Sequence, residues 1–149
     1  MDYFHWGTNA AIVFATIALV LASVGLHYEG LNWLARRLAH RAGPRRRKVL
    51  HAVLGALVLH IAEIWIFGLG LWVVLKLPDA GQIAGQGSHA LLDSIYLSAV
   101  TFSTVGFGDL APVGSIRFLL GTEALLGLML ITWTASFTYL EMERNWRER

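Results

Sequence analysis

Three long runs almost free of charge constrain this chain more than anything else in it. Residues 8–26 contain no Asp, Glu, Lys or Arg. As a helix, those 19 residues would reach about 28 Å, close to the roughly 30 Å of a bilayer's hydrocarbon core. A second run, 49–77, is interrupted only by Glu63 and Lys76, and a third, 118–140, only by Glu123. Of the 149 residues, 56% are hydrophobic and 15% charged, against about 25% charged in globular domains. One soluble domain of this length could not bury that much apolar surface. The composition also excludes disorder, and a soluble enzyme is not expected. The chain has no cysteine, which excludes disulfides, thiolate nucleophiles and cysteine-ligated zinc. Backbone polar groups in lipid must satisfy one another, so each run is expected to be helical. A fourth apolar piece, near 90–102, is too short to cross and suits a helix that enters and leaves by one face.

The basic residues orient these spans. Arg36, Arg37, Arg41, Arg45, Arg46, Arg47 and Lys48 are seven of the 12 positive charges, and Arg144, Arg147 and Arg149 are three more. Only Lys76 and Arg117 lie elsewhere. Cytoplasmic loops collect Lys and Arg, which puts 36–48 and the C-terminus inside and the N-terminus outside. No positive charge precedes the first run, so an uncleaved span is expected rather than a signal peptide. Leu31, Leu34 and Leu38 alternate with Arg36, Arg37 and Arg41 before the Gly43-Pro44 break. That pattern predicts an interfacial amphipathic helix touching anionic lipid. Regularly spaced arginines within an apolar span, as a voltage sensor needs, are absent from the first run. A nucleic-acid-binding arm is not expected beside a span.

After the short fourth piece comes Thr104-Val105-Gly106-Phe107-Gly108-Asp109. This resembles the selectivity-filter sequence of the potassium channel superfamily, most of all its small bacterial two-span members. Such filters replace an ion's water shell with rings of backbone carbonyls. Glycine at 106 and 108 suits the backbone turns this requires. Thr104 can add a hydroxyl at the inner end, and Val105 and Phe107 should pack away from the ion. The resemblance covers the region from residue 49 to residue 140. It implies an all-α membrane protein: three transmembrane helices, a re-entrant pore helix, an extended filter and a homotetrameric pore, since one chain supplies one filter loop. The implied function is passive potassium-selective conduction, with K+ bound by Thr104, Val105, Gly106 and Phe107 and no other cofactor. The implied location is a bacterial inner (cell) membrane.

The organisation read from these features is an N-terminal span at 1–28, a basic loop at 29–48 and a pore domain at 49–140. Within the pore domain are an outer helix at 49–77, a turret at 78–89, a pore helix at 90–103, the filter at 104–109 and an inner helix at 116–140. A short tail follows at 141–149, which leaves no room for a cytoplasmic sensing domain. Around the filter, Ser88 could cap the pore helix and Asp93 suits its first turn. Tyr96 stands where an aromatic often hydrogen-bonds the filter aspartate. Val100 replaces a carboxylate common in the family, so that route to inactivation should be missing. Phe107 replaces tyrosine and loses a hydroxyl that could tie the filter to its surroundings.

On the inner helix, Gly127 matches a hinge glycine but equally suits close packing. Leu128, Ile131 and Ala135 match cavity-lining positions, with Tyr139 and Glu143 further along that face. Ionisable groups inside spans are functional candidates by default. Glu123 should brace the pore helix near Thr101 or Ser103, or act as a pH-sensitive gate. Glu63, three residues after His60 on one helix face, should contact it or the first span. The alternatives are a weakly selective cation channel and a non-conducting regulatory subunit. A coupled potassium-uptake subunit is a further class, which one intact two-glycine filter argues against.

Overall fold

The computed structural model describes residues 6–40, 44–85 and 91–147. Four helices carry the fold: α1 (Trp6–Ala39), α2 (Arg45–Val74), α3 (Leu91–Phe102) and α4 (Ile116–Arg147). Of these, α1, α2 and α4 are long and apolar enough to cross a membrane, and α3 is not. This is a mostly helical membrane protein.

The first helix differs from expectation. It runs unbroken for 34 residues, about 51 Å, through the segment 29–39 that the charge pattern assigned to a separate interfacial helix. Leu31, Leu34 and Leu38 are buried, and Leu34 and Leu38 cluster with Ala52 of α2 and Phe137 of α4. The leucine stripe therefore faces protein rather than lipid. Arginine is a good helix former, so nothing local stops the helix where the apolar run ends. The second helix likewise starts within the basic stretch, at Arg45, and the connection shrinks to a few residues ending at Pro44, which serves as its N-cap.

The α1–α2 seam interlocks leucines with glycines. A Cβ at Gly70 would stand 2.5 Å from the Leu19 side chain, one at Gly30 2.3 Å from Leu59, and one at Gly55 2.8 Å from Leu34. The α1 positions rise as the α2 positions fall, so the helices are antiparallel. Small residues let backbones approach where lipid offers no hydrophobic drive to associate.

Two short strands went unforeseen. Gln82–Gly85 (β1) pairs antiparallel with Leu110–Val113 (β2), from Gln82 opposite Val113 to Gly85 opposite Leu110. This ribbon ties the chain before α3 to the residue straight after Asp109. Thr8 donates to the Pro78 carbonyl at 3.1 Å, Ser115 donates to Asn9 Oδ1 at 2.7 Å, and the Ile116 amide donates to the Ala80 carbonyl at 3.0 Å. The start of α1, the 78–85 segment and the start of α4 thus share one end of the bundle. The basic ends of α1 and α2 lie at the other. Ser88 lies outside the described residues.

The main core joins Phe67, Leu71 and Val74 of α2 to Leu97, Val100 and Phe102 of α3 and to Ile116, Leu119, Leu120, Leu126 and Leu130 of α4. It wedges the short helix between the two long ones.

Candidate functional site

The site grows from the end of α3. This helix carries Asp93 in its first turn, where a carboxylate complements the helix dipole. On one side it packs at Gly68 of α2, where a Cβ would come within 2.8 Å of Ile95 Cα. On the other it meets Gly127 of α4, where a Cβ would come within 2.1 Å of the Phe102 carbonyl oxygen. Gly127 is therefore a packing position, and α4 passes through it as one continuous helix. It lies 11 residues past Ile116, about 16 Å along α4. The chain thus descends into the bundle along α3, then returns to the same end at β2.

The segment between is held at its base by α3. The Ser103 amide donates to the Ala99 carbonyl at 3.1 Å, the Thr104 amide to Thr101 at 2.9 Å and the Gly106 amide to Val100 at 3.1 Å. The left-handed backbone region is occupied at alternate residues: φ is +58° at Thr104, +51° at Gly106 and +80° at Gly108. A Cβ at Gly106 or Gly108 would meet nothing within 4 Å in this chain. Backbone conformation, rather than space, selects glycine there.

At the far end of the loop, the Tyr96 hydroxyl donates to Asp109 Oδ2 at 2.8 Å, the contact expected of those two residues. The hydrogen bond to the carboxylate holds the Tyr96 phenol above its usual range, with smaller contributions from desolvation and the Asp109 charge. Gly85 fits against the Asp109 carbonyl, where a Cβ would stand 2.2 Å away.

All of Thr104–Asp109 is exposed within the single chain. Val105 and Phe107, expected to pack behind the backbone, are 55% and 70% exposed. Within this chain both side chains are left largely uncovered. Leu128, Ile131, Ala135 and Tyr139 of α4 are exposed as well.

Glu123 is fully buried, but its partner is neither Thr101 nor Ser103. The Ser103 hydroxyl turns back to the Ala99 carbonyl at 2.8 Å. Glu123 Oε1 instead hydrogen-bonds the Ser98 hydroxyl, whose oxygen also lies 2.9 Å from the Ile64 carbonyl. Ser98 sits one helical turn nearer the start of α3 than the expected partners, and it joins α2, α3 and α4 at one point. Glu123 Oε2 has no hydrogen-bond partner among the described residues.

Glu63 is fully buried too, and bridges His60 to a residue the sequence reading passed over. His27 Nδ1 lies 2.8 Å from Oε1, and His60 Nδ1 lies 2.9 Å from Oε2. His27 could have been marked as an ionisable residue in a helix longer than its apolar run.

The geometry is that of a short helix and glycine-turned loop set between two long apolar helices. Residues 50–142 match the family described as "Ion channel". The chain belongs to the ion channel family. Two curated relatives, both named "Protein LctB", resemble it over most of their length. The Geobacillus stearothermophilus protein is 30% identical over 146 residues, 97% of this chain and all of the relative. The Bacillus caldotenax protein is 45% identical over 131 residues, 87% of this chain and 89% of the relative. No solved structure matches. The family segment takes in α2 from Leu50 onward, α3, the loop and most of α4. It leaves α1 outside.

Proposed function

We propose that this chain is one subunit of a homotetrameric potassium-selective channel that conducts passively. The observation carrying this reading is the loop Thr104–Asp109: a potassium-filter sequence, with left-handed backbone at Thr104, Gly106 and Gly108, hung from the last turn of α3 and exposed on its own chain. Four such loops around one axis would line a path with backbone oxygens able to replace the water shell of K+. Neighbouring copies would then cover Val105 and Phe107. In this arrangement α3 is the re-entrant pore helix, its C-terminal dipole directed at the cation below the filter, and Leu128, Ile131, Ala135 and Tyr139 face the inner pathway. Gly127 does not act as a hinge in this reading, because its neighbour is the Phe102 carbonyl.

The N-terminus and the 78–85 segment face outward, and the basic ends of α1 and α2 face the cytoplasm of a bacterial cell. Arg36 and Arg37 are exposed on α1, where they and the first turn of α2 can meet anionic headgroups.

The deciding experiment is cation efflux from liposomes holding the purified protein, comparing potassium, sodium and N-methylglucamine. Potassium flux well above sodium flux is expected. Equal sodium flux would replace this reading with a weakly selective cation channel, and no flux in any ion would favour a non-conducting subunit.

A further inference from the structure

Beyond the conduction path, the described residues hold one convergent set of metal-ligating side chains. His27 of α1 and His60 and Glu63 of α2 bring three ligand atoms within 4.8 Å of one another. His27 and Glu63 are fully buried, and the His60 side chain is 15% exposed. We propose that His27, His60 and Glu63 form a binding site for a divalent transition-metal ion of the zinc class, which fastens α1 to α2.

Both imidazoles present the same nitrogen, Nδ1, to opposite oxygens of one carboxylate, at 2.8 and 2.9 Å. An ion with ligand distances of about 2.0–2.1 Å in tetrahedral geometry keeps its ligands about 3.3 Å apart. Accepting it requires the two His–Glu pairs to open by a few tenths of an ångström and the two imidazole nitrogens, which lie within 4.8 Å of each other, to settle at the same separation. His60 and Glu63 are three residues apart on one helix face, the same i, i+3 separation that helix bundles use for a carboxylate and a histidine on one metal ion, here with the histidine first. Two imidazoles and one carboxylate suit zinc, cobalt or nickel rather than the oxygen-bound calcium and magnesium. Three protein ligands leave a fourth position for water, and the partly exposed His60 marks the side of entry.

The surroundings fit the same reading. With Nδ1 bound to metal, the ring proton of His27 sits on Nε2, which faces Thr134 Oγ1 of α4 at 3.5 Å. Metal-bound histidines commonly point their other nitrogen at such an acceptor. The His27 ring also packs on Trp133 of α4, with centroids 5.2 Å apart, and His60 lies 5.6 Å from Phe102 at the end of α3. Glu63 forms ion pairs with both histidines. Since α1 lies outside the matched segment 50–142, a bound ion would pin the additional helix to the channel domain beside α4.

The test uses the full chain, purified without a polyhistidine tag, stripped with chelator and titrated with cobalt(II). The expected result is the strong visible absorption of four-coordinate cobalt, saturating at one ion per chain and displaced by zinc. His27→Ala and Glu63→Gln should each weaken binding tenfold or more, while His40→Ala/His51→Ala, at the basic end of the bundle, should bind as the wild type does. If His27→Ala fails to fold, His60→Gln at the partly exposed position carries the same expectation. No absorption in the wild-type chain, or absorption that survives these substitutions, would overturn the site and leave a hydrogen-bonded clamp between helices. Neither outcome depends on ion flux.

Discussion

Replacing Gly127 by alanine separates two roles that inner-helix glycines can play, because the roles predict opposite signs. As a hinge, Gly127 would cost its helix about 1 kcal/mol relative to alanine, and Gly127→Ala would stabilise the protein while stiffening α4. As a packing position it cannot accept the methyl. The added Cβ would stand 2.1 Å from the Phe102 carbonyl oxygen, 2.8 Å from its carbonyl carbon and 2.9 Å from its Cα. All three are backbone atoms, so no side-chain rotation relieves the clash. Ordinary contact requires α3 and α4 to part by about 1 Å, and overpacking of that kind costs about 1–3 kcal/mol. After the propensity gain, a net loss of up to about 2 kcal/mol remains, which is at most roughly 4–8 °C in Tm for a chain of this size. Phe102 is the last residue of α3, and the amides of Thr104 and Gly106 hang from the carbonyls of Thr101 and Val100. The displacement therefore reaches the loop, and potassium efflux should fall along with Tm. Thermal unfolding in detergent and liposome flux on the same preparation read both effects. Gly25→Ala is the control, since a Cβ there meets nothing within 4 Å and keeps only the propensity gain. A Gly127→Ala protein whose Tm rises above the wild-type value, as that of Gly25→Ala should, would refute the packing argument.

Gly106→Ala places a side chain at φ +51° and should abolish potassium efflux while leaving the oligomer intact by size-exclusion chromatography. Unchanged flux would mean the ions pass elsewhere. Ser98→Ala removes the partner of Glu123 Oε1 and leaves a buried carboxyl with neither oxygen bonded. It should lower stability by about 1–3 kcal/mol, read as a fall in Tm that a Ser98→Thr protein partly restores. Tyr96 has its phenol pKa raised by Asp109, so the stabilising contact is fully present below the ordinary phenol value of about 10 and is lost only as pH climbs through the higher folded value. Efflux should therefore show no Tyr96-dependent change between pH 6 and 9. Tyr96→Phe, which lacks the 2.8 Å bond, should conduct less at every pH in that range.

The parts of this molecule legible in its sequence are those written in neighbouring residues. Uncharged runs announce α1, α2 and α4, and alternate glycines announce the backbone at 106 and 108, because burial in lipid and a positive φ are each demands on a single stretch of chain. Helix ends are less legible. Nothing in 29–39 forbids helix, so α1 continues through Arg36 and Arg37 to Ala39, and the leucines expected at a lipid surface find Ala52 and Phe137. Strands of four residues, such as β1 and β2, carry too short a pattern to stand out, and their pairing is set by the return of the chain after Asp109.

The buried acids mark the deeper limit. A carboxyl inside a span states a need for hydrogen bonds, and that need is visible in any sequence containing it. What meets the need depends on which helix faces are pressed together. Glu123 takes Ser98, 25 residues away, because α3 crosses α4 with that turn at the level of Glu123. Thr101 and Ser103 lie nearer the 104–109 loop, and Ser103 satisfies itself on Ala99. Glu63 takes His60 from its own helix, as spacing predicts, and then His27 from 36 residues back. That second contact exists because the Gly–Leu seam holds α1 and α2 in a fixed antiparallel register. The same glycines that let the backbones approach therefore decide which ionisable groups meet.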